Sequence, residues 1–567
     1  MSMFSTLSRR APNKVFLSIF LGAFSGVIYS LLIPLLTSAL QPGDPHFESA
    51  SGKPYYLFHL EIANAPVALL FGIACLLIVT FRSTSQITLT RVAMDAASEL
   101  RVRLYDRIVR APIPVLERVG SPRLVTTITT DVPRIIMGAQ MLPELLMSMV
   151  TLIGMLGFLL LLNSHVFWFV LECIFFGAIT YELPLLAGKR FLVRAAASAD
   201  ALQKSVDGLI QGIKELKLND AKRHAYFEET LIATERSLLH AQKTGNTIMN
   251  VASTYGDMIS FFAIGAITFV FVNYHSIASA ELIGVIMALL YITAPISIIL
   301  NMMPQISLAQ VSFGRVSALL EELPDEGAMA PAAANKWESL RLKQVSYQHQ
   351  ATDDVPGFKV GPFDLEIRKG EIAFIVGGNG SGKSTLSKLM TLHYPALSGE
   401  IYFGDNLITR ETINTYRQDV VAIYSDYYLF DRLHGKIVEQ HEVDHYLCAL
   451  KLDKKVQYKD GKFSTLSLSD GQRRRMALVA AFIEDKELYL FDEWAADQDP
   501  NFKEAFYHEI LPSLKARRKA VIVITHDDRY FHVADKVVTM ADGAITGITC
   551  RPSHTAENLP MDVSRAS

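Results

Sequence analysis

Six apolar stretches, all before about residue 310, decide what this 567-residue chain folds into. They are Val15–Leu40, Ala65–Phe81, Leu145–Leu162, Val166–Leu186, Val251–Tyr274 and Leu282–Met302. A helix needs about twenty predominantly apolar residues to cross the hydrocarbon core of a bilayer, and each stretch meets or approaches that length. Half of all residues are apolar, high for a chain whose second half is polar and charged, so the apolar content is concentrated in these segments.

The connections carry the topology. Arg9, Arg10 and Lys14 precede the first stretch, and Arg101, Arg103, Arg107, Arg110 and Arg118 lie between the second and third. Lys189, Arg190, Lys214, Lys217, Lys222 and Arg223 lie between the fourth and fifth. The positive-inside rule makes all of these cytosolic, so the N-terminus is inside and an even number of spans returns the chain to the cytosol. The first apolar run exceeds the h-region of a signal peptide, and no suitably spaced A-x-A site follows it. Gln41–Asn64 is the one sizeable outer connection.

The two long cytosolic connections place apolar residues at helical spacing beside charged ones, as with Leu209, Ile213 and Leu216 beside Lys214 and Lys217. Such helices extend the spans into the cytosol. Ionisable groups inside spans are costly and read by default as functional, which singles out Glu172 in the fourth span and Asp257 in the fifth as candidates for a substrate pathway. Glu182 lies near a helix end, and Arg82 is expected to snorkel to the cytosolic face. Pro295 and Pro304 are expected to kink the sixth span.

The second half opens a different chemistry. Gly377, Gly378, Asn379, Gly380, Ser381, Gly382, Lys383 and Ser384 fit G-x-x-x-x-G-K-[ST], between the strand-like run Ile372–Val376 and a helical pattern opening at Thr385. The glycines let backbone N–H groups form an anion-binding nest, Lys383 reaches the β- and γ-phosphates of ATP, and the Ser384 hydroxyl is suited to Mg²⁺. Leu488–Phe491 reads as a buried strand ending in Asp492 and Glu493 at the carboxyl edge of a parallel sheet. Asp492 is the expected Mg²⁺-organising carboxylate, and Glu493 the group that polarises the attacking water. A second strand, Ala520–Ile524, ends in Thr525 and His526, whose imidazole approaches from the same edge.

Between these elements lies Leu468-Ser-Asp-Gly-Gln472, followed by Arg473, Arg474 and Arg475. Here the chain resembles the ATP-binding cassette (ABC) proteins, whose signature is usually LSGGQ, and the resemblance covers the whole chain. It implies a polytopic α-helical membrane domain of six spans, like a type I ABC exporter, fused to a P-loop α/β ATP-binding cassette that hydrolyses ATP. It implies that Ser469, Asp470, Gly471 and Gln472 close over the γ-phosphate held by an opposite cassette, with Asp499 in the dimer-contact loop. A second copy of the chain is therefore the expected partner, although a heterodimer also satisfies the pattern. The resemblance further implies that Ala111–Arg118 and Val206–Lys217 transmit the ATP-driven stroke.

Some positions depart from the family pattern. Ser425, with Asp426 beside it, stands where most cassettes have a glutamine. The adenine-stacking aromatic falls on His349, with Tyr347 two residues earlier, and either ring suits the role. The runs Phe491–Pro500 and Thr525–His532 resemble one bacterial subgroup, the cyclic-peptide and siderophore-precursor exporters of the pyoverdine, syringomycin and microcin type. That likeness implies export of a cyclic or non-ribosomal peptide across the bacterial inner membrane, with the cassette in the cytosol. A lipid or multidrug exporter is the main alternative, and an uncoupled regulatory membrane ATPase, motivated by Ser425, is another.

The expected organisation is a membrane domain over 1–320, a linker over 321–336 rich in proline, glycine and alanine, a cassette over 337–549 and a disordered tail over 550–567. A net charge of −3 offers no nucleic-acid surface, the three arginines being part of the signature helix. The four cysteines, Cys75, Cys173, Cys448 and Cys550, lack metal-site spacing and are expected to be reduced.

Overall fold

The computed structural model describes residues 11–40, 55–57, 60–62, 65–274, 279–327, 337–349 and 357–551. The chain forms two compact units, one of Met1–Leu104 with Pro122–Leu319 and the other of Tyr105–Ser121 with Leu320–Ser567.

Among the described residues six helices are long and apolar enough to cross a membrane. They are Pro12–Leu40, Ala65–Arg110, Val132–Leu162, Ser164–Gln211, Ala233–Phe269 and Ser279–Glu322. Five contain the apolar stretch predicted for them. The fifth stretch overruns its helix, because the chain leaves α-helical geometry after Phe269 and makes a short 3₁₀ turn over Phe271–Asn273. The sixth helix runs continuously across Pro295 and Pro304.

Lipid is as apolar as leucine, so close approach and polar contacts hold membrane helices together. The first helix uses both devices. Ser18 Oγ donates to the Ser85 carbonyl at 2.8 Å, and Ser85 Oγ donates to the Ser18 carbonyl at 2.7 Å. Gly26 faces the third helix so closely that a Cβ there would lie 2.9 Å from the Met147 carbonyl oxygen. Met155, Leu159, Val170, Ile267, Val285 and Leu289 form a buried cluster joining the last four spans.

Arg82, expected to snorkel, also has a partner on the third helix. Its guanidinium pairs with Glu144 at 2.9 Å, because an opposite charge on the neighbouring helix offsets the cost of a cation at that position. Asp131 is buried at the end of a π-helical turn, Thr127–Asp131, and accepts a hydrogen bond from Ser312 Oγ at 2.8 Å.

The second unit is built on a six-stranded sheet. Its order is Ala544–Cys550, Lys536–Ala541, Ile372–Gly377, Ala520–Ile524, Leu488–Asp492 and Val420–Ile423, and all neighbours are parallel except the first pair. Parallel strands covered on both faces read as continuous apolar runs. Leu488–Asp492 and Ala520–Ile524 are indeed buried at every position. Strand alternation sends Leu488 and Leu490 into one core with Leu386 and Leu389, and Tyr489 and Phe491 into the other with Met476 and Leu478. A second, antiparallel sheet of Ser339–Gln348, Lys359–Arg368, Ser398–Phe403 and Asn406–Leu407 flanks the first core.

Residues 105–121, assigned to the membrane domain from sequence, cluster with this second unit. The short helix Ile113–Val119 packs Ile113 against the cassette core, while Glu117 accepts from Lys388 Nζ at 2.6 Å and from the Tyr394 hydroxyl. The expected linker is also shorter at its start. The sixth helix continues to Glu322, and Arg417 holds Glu326 at 2.9 Å. Residues 328–336 lie outside the described residues. Cys550, expected in the tail, ends the last strand, and residues 552–567 lie outside the described residues.

Leu490, at the middle of the strand Leu488–Asp492, is fully buried. Leu490→Ala is expected to destabilise the cassette by about 2–5 kcal/mol, which a denaturant titration of detergent-solubilised protein followed by tryptophan fluorescence measures. An unchanged midpoint would contradict this packing.

Candidate active site

The parallel order brings the carboxyl ends of Ile372–Gly377, Ala520–Ile524 and Leu488–Asp492 to one edge, with Ile375 opposite Ile524 and Ile524 opposite Asp492. The loop leaving the first of these strands requires glycine twice. A Cβ on Gly377 would lie 2.3 Å from the Met540 carbonyl oxygen, and Gly382 turns the chain into its helix at φ +92°. That helix spans Lys383–Met390, opening two residues before the predicted Thr385. Its free N–H groups and positive dipole end face the loop's concavity, which makes an anion site.

Lys383 is buried, and its ammonium donates to the carbonyls of Gly377 at 3.0 Å and Gly378 at 2.8 Å. Ser381 Oγ is buried with no hydrogen-bond partner among the described residues. An orphaned hydroxyl in a ring of backbone amides fits a phosphate oxygen. Asn379–Thr385, Asp492 and Glu493 line a cavity of about 360 Å³.

Asp492 ends its strand almost fully buried. Burial, then the neighbouring carboxylates of Glu493 and Asp426, push its pKa up, against the pull of Lys383 and Arg474. A buried carboxylate beside the Ser384 hydroxyl is an all-oxygen donor set, which suits a hard divalent cation such as Mg²⁺. Among the described residues no group of three or more His, Cys, Asp or Glu side chains forms a metal cluster.

Glu493 adopts φ +51°, a left-handed conformation uncommon outside glycine. Its N–H donates to the Ile524 carbonyl at 3.0 Å. Its carboxylate meets His526 Nε2 at 3.0 Å, so two residues 33 apart in sequence share one edge, as the strand reading predicted. Both side chains are partly open, at 40% and 46% exposure, and thus reachable by water. Thr525 is fixed by the Tyr507 hydroxyl at 2.9 Å.

The signature segment sits elsewhere. Ser469 caps the helix Asp470–Glu484 in a capping box with Gln472, whose Oε1 accepts from the Ser469 N–H at 3.3 Å. Asp470 occupies the first turn, favoured by the dipole. Ser469, Asp470, Gly471 and Gln472 do not line the loop cavity. Asp499, expected at a dimer contact, caps the helix Pro500–Ala505 by accepting from the Phe502 N–H at 3.0 Å.

The two aromatic candidates occupy different environments. Tyr347 packs against the cassette core and stacks on Tyr394 with ring centres 4.5 Å apart. His349 meets both tyrosines edge-on, and its Nε2 pairs with Thr385 Oγ1 at 2.9 Å. Burial lowers the His349 pKa, with Glu117 raising it and Lys388 lowering it further. Ser425 and Asp426 follow the strand Val420–Ile423, which pairs directly with Leu488–Asp492 and brings Asp426 close enough to raise the Asp492 pKa.

Sequence reasoning missed Arg474. Arg473 is exposed while Arg474 and Arg475 are both partly buried, and Arg474 is the one that pairs with Asp497 at 2.6 Å and donates to the Glu493 carbonyl. Three consecutive arginines carried no signal to separate it from its neighbours.

Of the membrane candidates, Glu172 is exposed on the fourth helix, next to Cys173, which lines an apolar cavity of about 170 Å³ with Val170, Gly256, Ile296 and Leu300. The Asp257 side chain lies outside the described residues.

Residues 14–235 match the family model for the ABC transporter transmembrane region, and residues 360–496 match the one for the ABC transporter. The ATP-binding protein SyrD of Pseudomonas syringae pv. syringae is 29% identical over 549 residues, covering 94% of both chains. ATP-dependent lipid A-core flippases are more distant: that of Shewanella oneidensis is 22% identical over 92% of this chain and 90% of its own, and that of Chromobacterium violaceum is 23% identical over 93% and 90%.

Glu493→Gln is expected to keep ATP binding while slowing turnover by about a hundredfold or more, the scale of a general base. Steady-state hydrolysis alongside a fluorescent-nucleotide titration checks this, and turnover at the wild-type rate would remove Glu493 from the role.

Proposed function

We propose that this chain, an ABC exporter half-transporter that hydrolyses ATP and belongs to the ABC transporters through both its membrane and its cassette regions, exports a cyclic or non-ribosomal peptide from cytosol to periplasm as a homodimer. The observation that carries the peptide reading is the 29% identity to SyrD over 94% of both chains, together with the Phe491–Pro500 and Thr525–His532 runs. The inner membrane is then its site, with the N-terminus and cassette in the cytosol.

The homodimer reading is supported by the separation of the signature segment from the loop cavity. In a head-to-tail pair, Ser469 and Gly471 of each copy cover the nucleotide on the other copy's Lys383 loop. Glu493 then accepts a proton from the attacking water, His526 orients the carboxylate, and Ser384 and Asp492 hold Mg²⁺. His349 is the ring we assign to adenine, since Tyr347 already stacks on Tyr394. ATP favours the closed pair, and hydrolysis removes that preference, so the membrane helices alternate between inward- and outward-open states.

A groove of about 520 Å³ in the cassette, edged by the exposed rings of Tyr428 and Phe430, suits an apolar helix tip. The exposed Ile210 and Leu218 flank such a tip between the fourth and fifth helices. We assign that groove to the tip of the second copy.

A second reading, movement of a lipid, has its own support in the lipid A-core flippases aligned over nine-tenths of their length. The apolar cavity beside Cys173 suits the hydrophobic part of either cargo.

ATP-dependent uptake of cyclic peptides and siderophore precursors into inside-out vesicles tests the proposal, with Glu493→Gln as blank. Accumulation lost in that variant is expected; ATP hydrolysis stimulated by lipid with no peptide accumulation would transfer the assignment to lipid. Glu172→Gln is expected to change the transport rate while leaving basal ATPase within about twofold, given that intramembrane carboxylates default to pathway roles. Unaltered transport would make Glu172 a structural residue.

A further inference from the structure

The first turn of the signature helix is braced against the segment that follows Glu493, and Arg474 is the hub. Its guanidinium, 12% exposed, pairs with Asp497 at 2.6 Å and donates to the Glu493 carbonyl. The Arg474 carbonyl accepts from Trp494 Nε1 at 2.9 Å, and Gln498 Nε2 donates to the Gly471 carbonyl at 3.0 Å. The two segments lie so close that a Cβ on Gly471 would sit 2.9 Å from the Asp497 carbonyl oxygen. Trp494 is itself fully buried and stacked on Phe506 at 4.5 Å, so the brace ends in the cassette core.

The bond to Glu493 falls where the backbone most needs support. A non-glycine residue at φ +51° keeps that conformation only when its surroundings hold it. Three hydrogen bonds do so: the Glu493 N–H to the Ile524 carbonyl, and both the Ala496 N–H, at 3.1 Å, and the Arg474 guanidinium to the Glu493 carbonyl. The bond from Arg474 is charge-assisted and therefore the stronger kind. Together with the Ala496 N–H it fixes the peptide plane from which the Glu493 carboxylate reaches His526.

We propose that Arg474 is a positioning residue for Glu493 and, through it, the link that makes the two ATP sites of a dimer cooperative. The inference rests on the dimer reading above. In that dimer the signature helix of a copy senses the nucleotide on the opposite loop, whereas Glu493 of the same copy serves the nucleotide on its own. Arg474 lies on that helix, one turn from Gly471, and holds the backbone of Glu493. Arrival of a γ-phosphate at one site thus draws the helix into place and aligns the carboxylate at the other.

The test is ATPase activity against ATP concentration for the full-length protein in liposomes, comparing wild type with Arg474→Gln, Arg474→Lys and Asp497→Asn. Wild type is expected to show a Hill coefficient above one. Arg474→Gln brings it to one and lowers kcat by about tenfold to a hundredfold, the scale of a catalytic group displaced by an ångström, with KM changed less than twofold. Arg474→Lys recovers part of both. Asp497→Asn, on a half-exposed side chain, loosens the same guanidinium and carries the same readout should Arg474→Gln fail to fold. A mere brace would lower the melting temperature of these variants and leave kcat and the Hill coefficient of the folded protein unchanged, which would overturn the proposal, as would a wild type without cooperativity. Size-exclusion of Glu493→Gln with ATP separates the two readings. A monomer there sinks the dimer and this inference together; a dimer whose cooperativity survives every variant sinks this inference alone.

Discussion

Two carboxylates at the end of a buried parallel strand are the constraint around which the cassette is arranged. Leu488–Asp492 is buried at every position, so its last side chain, Asp492, is carried into a site where its charge is costly. The surroundings answer that cost with cations and polar groups: Lys383 on the phosphate loop, Arg474 on the signature helix, and the helix N-terminus at Lys383. Glu493, one residue on, escapes burial by a left-handed turn that exposes its carboxylate to water and to His526. One strand end thereby separates a buried charge suited to a metal ion from an open one suited to proton transfer.

The membrane unit answers a different solvent. With no hydrophobic drive between helices in lipid, specificity comes from small residues and paired polar groups. Ser18 with Ser85, Gly26 against Met147, and Arg82 with Glu144 all join neighbouring spans in this way. The apolar cavity beside Cys173 forms where bulky side chains line the space between helices without filling it. Its walls carry few polar groups.

The nucleotide chemistry is divided between surfaces that one cassette does not bring together. The phosphate loop, Asp492 and Glu493 share a cavity, while the signature segment does not line it. The Arg474 side chain nevertheless joins them, through the Glu493 carbonyl and Asp497 in the turn after it.

Much of this was legible in the chain. Span number followed from apolar length alone, because a bilayer imposes one thickness on every crossing. The loop and its lysine followed from glycine spacing, since no other residue tolerates the backbone at Gly377 and Gly382. The placement of Glu493 and His526 at one edge followed from two apolar runs that each end in a polar pair, which a parallel sheet brings together; that their side chains bond each other is a finding of the fold. Tertiary packing decided the rest. Residues 105–121 joined the cassette because Ile113 and Glu117 found partners there that no local pattern announces. Asp499 became a helix cap, Tyr347 a stacked core ring, and Arg474 rather than its two neighbours the brace of Glu493. Sequence determined which elements form, because length and periodicity act locally. The folded chain alone decided which side chains meet, because a contact depends on elements that are distant in sequence and oriented only by the core between them.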